Sequence, residues 1–151
     1  MASVQRVHFG VYGIIRSLSG SEILLIEKAR GPYQGLLDLP GGQLEGQESL
    51  TEALVREIRE ETGLTAEAIS PAIADVAYYP LSDENNADVL RHLFVLYYVD
   101  AKGDLRIGSD GQDSAGARWI SLKAIESEGC TPLVTCATRL LAADENSSTA
   151  S

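Results

Sequence analysis

The stretch Gly42 to Leu64, GQLEGQESLTEALVREIREETGL, decides how the rest of the chain is read. Ser49 is a strong helix N-cap, and Glu52 three residues later completes a capping box. Leu50, Leu54 and Ile58 recur four residues apart and give the segment one apolar face. Gly63 supplies the stop. The spacing therefore predicts a helix over 50–62. On it, Glu57, Glu60 and Glu61 stand at i, i+3 and i+4, within about a third of the helix circumference. Three carboxylates on one face repel one another. Taken alone they read as a solvated acidic face, with Arg56 and Arg59 available to pair with them. They are also an oxygen donor set suited to a hard divalent cation, Mg²⁺ above all.

Working outward, Val7 to Ile15 (VHFGVYGII) and Glu22 to Glu27 (EILLIE) read as strands around the turn SLSGS, and are expected to pair as a hairpin. Residues 29–37 are loop-like, with Gly31-Pro32 and Gly35 as breakers. Leu39-Pro40-Gly41-Gly42 is a sharp backbone feature. Beyond the helix, strands are expected over 73–79, ended by Pro80, over 90–99 and over 117–120. A helical turn follows at 122–126, and a last helix from Thr131-Pro132 to about Leu141. Residues 1–141 form one domain, and 142–151, small and polar, read as a flexible tail. The class is α+β.

Composition sets the exclusions. Of 151 residues, 44% are hydrophobic and 23% charged, an ordinary globular mixture. The net charge of -10 disfavours nonspecific nucleic-acid binding and anionic membrane surfaces. An anionic substrate would need a cation to reverse the local field. No apolar run approaches the ~18 residues of a membrane span, and no apolar signal core follows the N-terminus. Cys130 and Cys136 lack metal-site spacing and read as free thiols of a reducing cytosol, so the expected location is cytoplasmic.

The spacing around the acidic face is the specific signal. Gly42, Glu48, Arg56, Glu57, Ile58, Glu60, Glu61, Gly63 and Leu64 match G-x5-E-x7-R-E-U-x-E-E-x-G-U, with U aliphatic, at every fixed position. On these residues the sequence resembles the Nudix (MutT-like) hydrolases. The resemblance implies an α/β/α sandwich with a mixed sheet. It also implies a Mg²⁺-dependent enzyme, with Mn²⁺ as a substitute, that hydrolyses a nucleoside diphosphate linked to a further group. The Gly41 carbonyl, Glu57, Glu60 and Glu61 are then expected metal ligands. Arg56 orients the carboxylates. Glu48 either holds Arg56 or joins a second metal shell. The position of the general base varies in the family, and Glu57 is the first choice.

Asp110 and Asp113, in the loop before Arg118-Trp119-Ile120, are further metal candidates, and Asp38 beside the Gly41-Gly42 turn is another. A polar-turn role serves Asp110 and Asp113 equally well. Arg30, Tyr33 and Arg91 are substrate-binding candidates; Lys28 belongs with them. His8 and His92, in apolar strands, read as packing or surface histidines. The expected substrate is a small nucleotide, either a (d)NTP, oxidised or not, or a nucleoside diphosphate sugar such as ADP-ribose. Pro80, 16 residues past Leu64, resembles a pattern of ADP-ribose-cleaving members, whereas the short chain resembles the (d)NTP pyrophosphatases. The alternatives are a noncatalytic nucleotide sensor and an RNA 5′-end pyrophosphohydrolase. A homodimer is open.

Overall fold

A computed structural model describes residues 4–81, 88–106, 108, 109, 111 and 114–149. In chain order the elements are β1 (Val4–Ile14), β2 (Glu22–Lys28), β3 (Leu37–Asp38), β4 (Gly41–Gly42), α1 (Leu50–Thr62), β5 (Thr65–Pro80), β6 (Val89–Lys102), β7 (Ser114–Ser121), a 3₁₀ turn (Ile125–Ser127) and α2 (Pro132–Thr149).

The strands form two sheets, ordered β4-β1-β6-β5 and β3-β2-β7. β1 and β6 run parallel, with Tyr12 opposite Leu96, while β5 and β6 are antiparallel. The sheet is therefore mixed, as expected. Four successive residues of β2, Ile23 to Ile26, are fully buried. Burial on both faces explains that run, because a strand sends alternate side chains to opposite sides. Ile23 and Leu25 join Leu39, Phe94, Leu96, Leu133 and Val134 under α2. Leu24 and Ile26 join Val11, Leu54, Ile58 and Val99 under α1. A helix covers each face, giving the α/β/α sandwich of an α+β protein.

α1 forms where the pattern placed it. Ser49 Oγ accepts from the Glu52 amide at 3.1 Å, and Glu52 Oε1 accepts from the Ser49 amide at 3.0 Å. Gly63 ends the helix at φ 80°, in the left-handed region that glycine enters without strain. Full burial of Leu54 and Ile58 stabilises the docked helix by about 1.5–3 kcal/mol each.

The hairpin expectation is overturned. β1 and β2 lie in different sheets, and among the described residues an isolated bridge between Arg16, just past β1, and Ile23 links them. Residues 10–14 of β1 are all buried, as a strand covered on both faces requires, and β1 pairs in parallel with β6. β5 begins at Thr65, eight residues earlier than the apolar pattern shows. It is an edge strand whose side chains are mostly exposed or half-buried, so its first half carries little hydrophobic signal. α2 continues to Thr149, through residues read as a tail. Tyr98 Oη donates to Asp144 Oδ2 at 2.8 Å, and Arg16 pairs with Glu145 at 3.1 Å, which anchors that extension.

Candidate active site

The Leu39–Gly42 turn and the C-terminal half of α1 meet at one edge of the sandwich. Glu61 points inward, 2% exposed, and its Oε1 accepts the Gly41 amide at 2.8 Å. Its Oε2 is buried and has no hydrogen-bond partner among the described residues. Burial pushes the Glu61 carboxyl well above its ordinary range; the Gly41 amide opposes that shift and the nearby Glu57 charge adds to it. A buried carboxylate oxygen without a donor is costly. A divalent cation with oxygen ligands would satisfy it, so the residues present fit such an ion.

Backbone shape is tuned to the same carboxylates. Gly41 has φ 151°, and a Cβ there would lie 2.1 Å from the Val11 carbonyl oxygen. A Cβ on Gly42 would lie 2.7 Å from Glu57 Oε1, so the glycine makes room for that carboxylate.

Arg56 organises the helix face. Its Nε and Nη2 donate to Glu48 Oε2 and Oε1 at 2.7 and 2.9 Å, a two-pronged grip. Nη1 donates to Glu57 Oε1 at 3.1 Å and to Glu60 Oε2 at 3.2 Å, and Nη2 also reaches the Gln43 carbonyl at 3.0 Å. The Arg56 bond holds the Glu48 carboxyl below its usual range. The carboxylate partners keep the guanidinium charged.

Beside this group lies a cleft of about 430 Å³. Its charged lining is mixed: Asp38, Glu45 and Glu57 with Arg6, Lys28 and Arg30. Asp38 is buried; its Oδ1 accepts from the Leu39 amide and the Thr131 hydroxyl, at 2.8 and 2.7 Å. Burial raises its carboxyl, against those two bonds.

Of the sequence candidates, the structure brings Gly41, Glu57, Glu61, Arg56 and Glu48 together, and puts Arg30 and Tyr33 on the cleft wall. Glu60 is held at the solvent side of Arg56, its side chain 47% exposed. Among the described residues no three His, Cys, Asp or Glu side chains gather into a ready-made cation cage. Arg56 occupies the space between Glu57 and Glu60. Arg91 is not on the cleft; its guanidinium lies over the Tyr78 ring, 5.8 Å from the centroid. Asp110 and Asp113 lie outside the described residues.

His92 was missed as a site residue. It is 3% exposed, and its Nε2 and Nδ1 meet Tyr12 Oη at 2.8 Å and Tyr33 Oη at 3.0 Å. Burial is the main cause that pushes its imidazole down to about 4, with His8 and Lys28 adding to it. No local pattern links His92 to tyrosines 80 and 59 residues away.

The fold sets an acidic helix and a Gly-Gly turn beside a cleft lined by Arg6, Lys28 and Arg30 together with Asp38, Glu45 and Glu57. The NUDIX domain model matches residues 5–137. The chain belongs to the Nudix family, which generally uses a divalent metal such as Mg²⁺. It is 36% identical over 104 residues to the ADP-ribose pyrophosphatase of Methanocaldococcus jannaschii, covering 69% of this chain and 57% of that one. It is 27% identical over 122 residues to the 8-oxo-dGTP diphosphatase of Escherichia coli, covering 80% and 84%. The chain thus spans less than two thirds of the archaeal relative. The fold resembles the crystal structure of the MutT protein from Methanosarcina mazei Go1, with a TM-score of 0.67 at 23% identity, covering 93% of this chain and 96% of that one. None of the described helices is long and apolar enough to cross a membrane.

Proposed function

We propose that the protein is a Mg²⁺-dependent pyrophosphohydrolase of small nucleotides, cleaving a phosphoanhydride bond of a nucleoside diphosphate linked to another group. The carrying observation is the buried Oε2 of Glu61, without a hydrogen-bond partner among the described residues, beside the Gly41 backbone, which lines a cleft that also holds Arg6, Lys28 and Arg30. Glu57 and Glu61, with the Gly41 carbonyl, would hold the cation, and Glu60, now bonded to Arg56, would be a further ligand. When bound, the cation neutralises phosphate oxygens and makes a coordinated water more acidic. The chain's own residues do the rest. Lys28 and Arg6, both on the cleft, offer positive charge to the phosphates. Arg56, braced by Glu48, fixes the orientation of Glu57. A carboxylate takes the proton of the attacking water, with Glu57 the first choice.

The relatives' names support two substrate classes, a (d)NTP, oxidised or not, and a nucleoside diphosphate sugar of the ADP-ribose type. The first would yield a nucleoside monophosphate and pyrophosphate, the second AMP and a sugar phosphate. A sensor without catalysis is the rival reading; the full set of box carboxylates favours the enzyme.

The test is a phosphate-release panel with Mg²⁺, coupled to the phosphatase or pyrophosphatase each product needs. It holds the (d)NTPs, 8-oxo-dGTP, ADP-ribose, NADH, dinucleoside polyphosphates and a capped short RNA. A preference for one class with kcat/KM above ~10⁴ M⁻¹s⁻¹ supports the enzyme. Glu57→Gln or Glu61→Gln then lowers kcat at least ~10²-fold with the fold kept. Silence across the panel with Mg²⁺-dependent nucleotide binding retained favours the sensor. Unchanged turnover in a folded Glu57→Gln/Glu61→Gln double variant overturns the site assignment.

A further inference from the structure

We propose that Tyr33 presents its phenolic O–H into the cleft as a hydrogen-bond donor to the nucleobase, and that His92 is the positioning residue that keeps it available. This rests on the reading that a nucleotide occupies the cleft.

A neutral imidazole carries one N–H donor and one acceptor nitrogen. His92 is bonded at both nitrogens to tyrosine hydroxyls. The two hydroxyls must therefore play opposite roles. One donates to the ring and is satisfied. The other accepts from the ring and keeps its own proton for a different partner. Among the described residues, neither Tyr12 nor Tyr33 has a hydrogen-bond partner besides His92.

Their surroundings decide which is which. Tyr12 stands on β1 in the core under α2, packed among buried side chains. A hydroxyl proton left there without an acceptor costs about 1–3 kcal/mol. Both tyrosines border the cleft, but Tyr33 comes from the loop between β2 and β3 and belongs to neither buried core cluster, so its hydroxyl is the one a ligand can meet. We therefore assign Tyr12 as donor to Nε2 and the Nδ1–H of His92 as donor to Tyr33 Oη. The Tyr33 ring is held in place, stacked on His92 with centroids 5.6 Å apart and edge-on to Tyr79 at 4.9 Å.

The chemistry of this corner suits a base. It is aromatic, its phenol is kept neutral by burial, and the Asp38 carboxyl is beside it. An anion would meet that carboxyl, whose charge Lys28 offsets in part. A purine edge offers the ring nitrogen or carbonyl acceptor that a fixed O–H donor selects.

Two measurements test the assignment. The chain has two histidines, so ¹⁵N-histidine labelling with a His8→Gln control identifies the His92 signals. The expected pattern is a protonated, pyrrole-type Nδ1 and an unprotonated, pyridine-type Nε2. The reverse pattern overturns the proposal. AMP, GMP and ribose 5-phosphate are then titrated into the wild type, Tyr33→Phe, His92→Phe and the double variant, each checked for cooperative unfolding. Tyr33→Phe is expected to weaken the mononucleotide it concerns about tenfold, the loss of one hydrogen bond, and to leave ribose 5-phosphate within about twofold. His92→Phe matches that loss, and the double variant adds nothing to it. Equal mononucleotide binding by Tyr33→Phe, or equal weakening of ribose 5-phosphate, refutes the base contact while the nucleotide reading stands. A wild type that binds neither mononucleotide overturns that reading, and this inference with it.

Discussion

At the residue scale, the site depends on one carboxylate being allowed close to a backbone turn. Gly42→Ala puts a methyl group against Glu57 Oε1 and Cδ, at 2.7 and 2.8 Å. The carboxylate must swing away, and displacements of about 1 Å cost on the order of 10²-fold in rate. Steady-state kinetics should show kcat falling 10–10²-fold with the melting temperature nearly unchanged; wild-type turnover would refute the fit. His92 makes a pH prediction. Its folded value of about 4 lies below the free value of 6.5. Above 6.5 it is neutral in both states. As pH falls from 6.5 toward about 4, only the unfolded chain takes up the proton, so stability drops across that window. His92→Gln should flatten this part of the profile of melting temperature against pH, and an unchanged slope would assign the loss to other groups.

At the element scale, α1 carries Glu57, Glu60 and Glu61, so its N-terminal cap serves the site. Ser49→Ala removes the hydroxyl that accepts the Glu52 amide, while the backbone amide of residue 49 can still donate to Glu52, and should cost about 1 kcal/mol, or about 2–4 °C of melting temperature. Glu52→Gln keeps an acceptor for the Ser49 amide and should change little. Thermal unfolding of the two variants side by side checks this. Both ends of α1 were legible because cap, stop and core face are local properties of neighbouring residues. The first half of β5 was not. An edge strand gains its backbone bonds from β6 without burying an alternating face, so its residues carry no period to read.

At the scale of the whole molecule, the charge of -10 and the raised carboxyls of Glu61 and Asp38 make a bound divalent cation a stabilising partner. Saturating Mg²⁺, at about 100 times its dissociation constant, adds ~2.7 kcal/mol, or roughly 5–10 °C over the chelated protein. Differential scanning fluorimetry should show that rise in the wild type and its loss in Glu61→Gln. Equal shifts in both would place the ion elsewhere.

The order and spacing of residues by themselves determined the acidic helix with its caps, the Gly-Gly turn before it, the mixed α+β class and the family. Each of these is encoded within a few turns of chain. Tertiary structure decided what depends on distant segments meeting. It placed β1 beside β6 instead of β2, because burial on both faces favours the parallel ladder. It turned Glu61 inward and Glu60 outward, because only one of them meets the Gly41 amide. It put Arg30 and Tyr33 on the cleft and Arg91 away from it. It also clamped His92 between two tyrosines, because a hydrogen bond across 80 residues is made by the packing of strands and leaves no trace in the spacing of the chain.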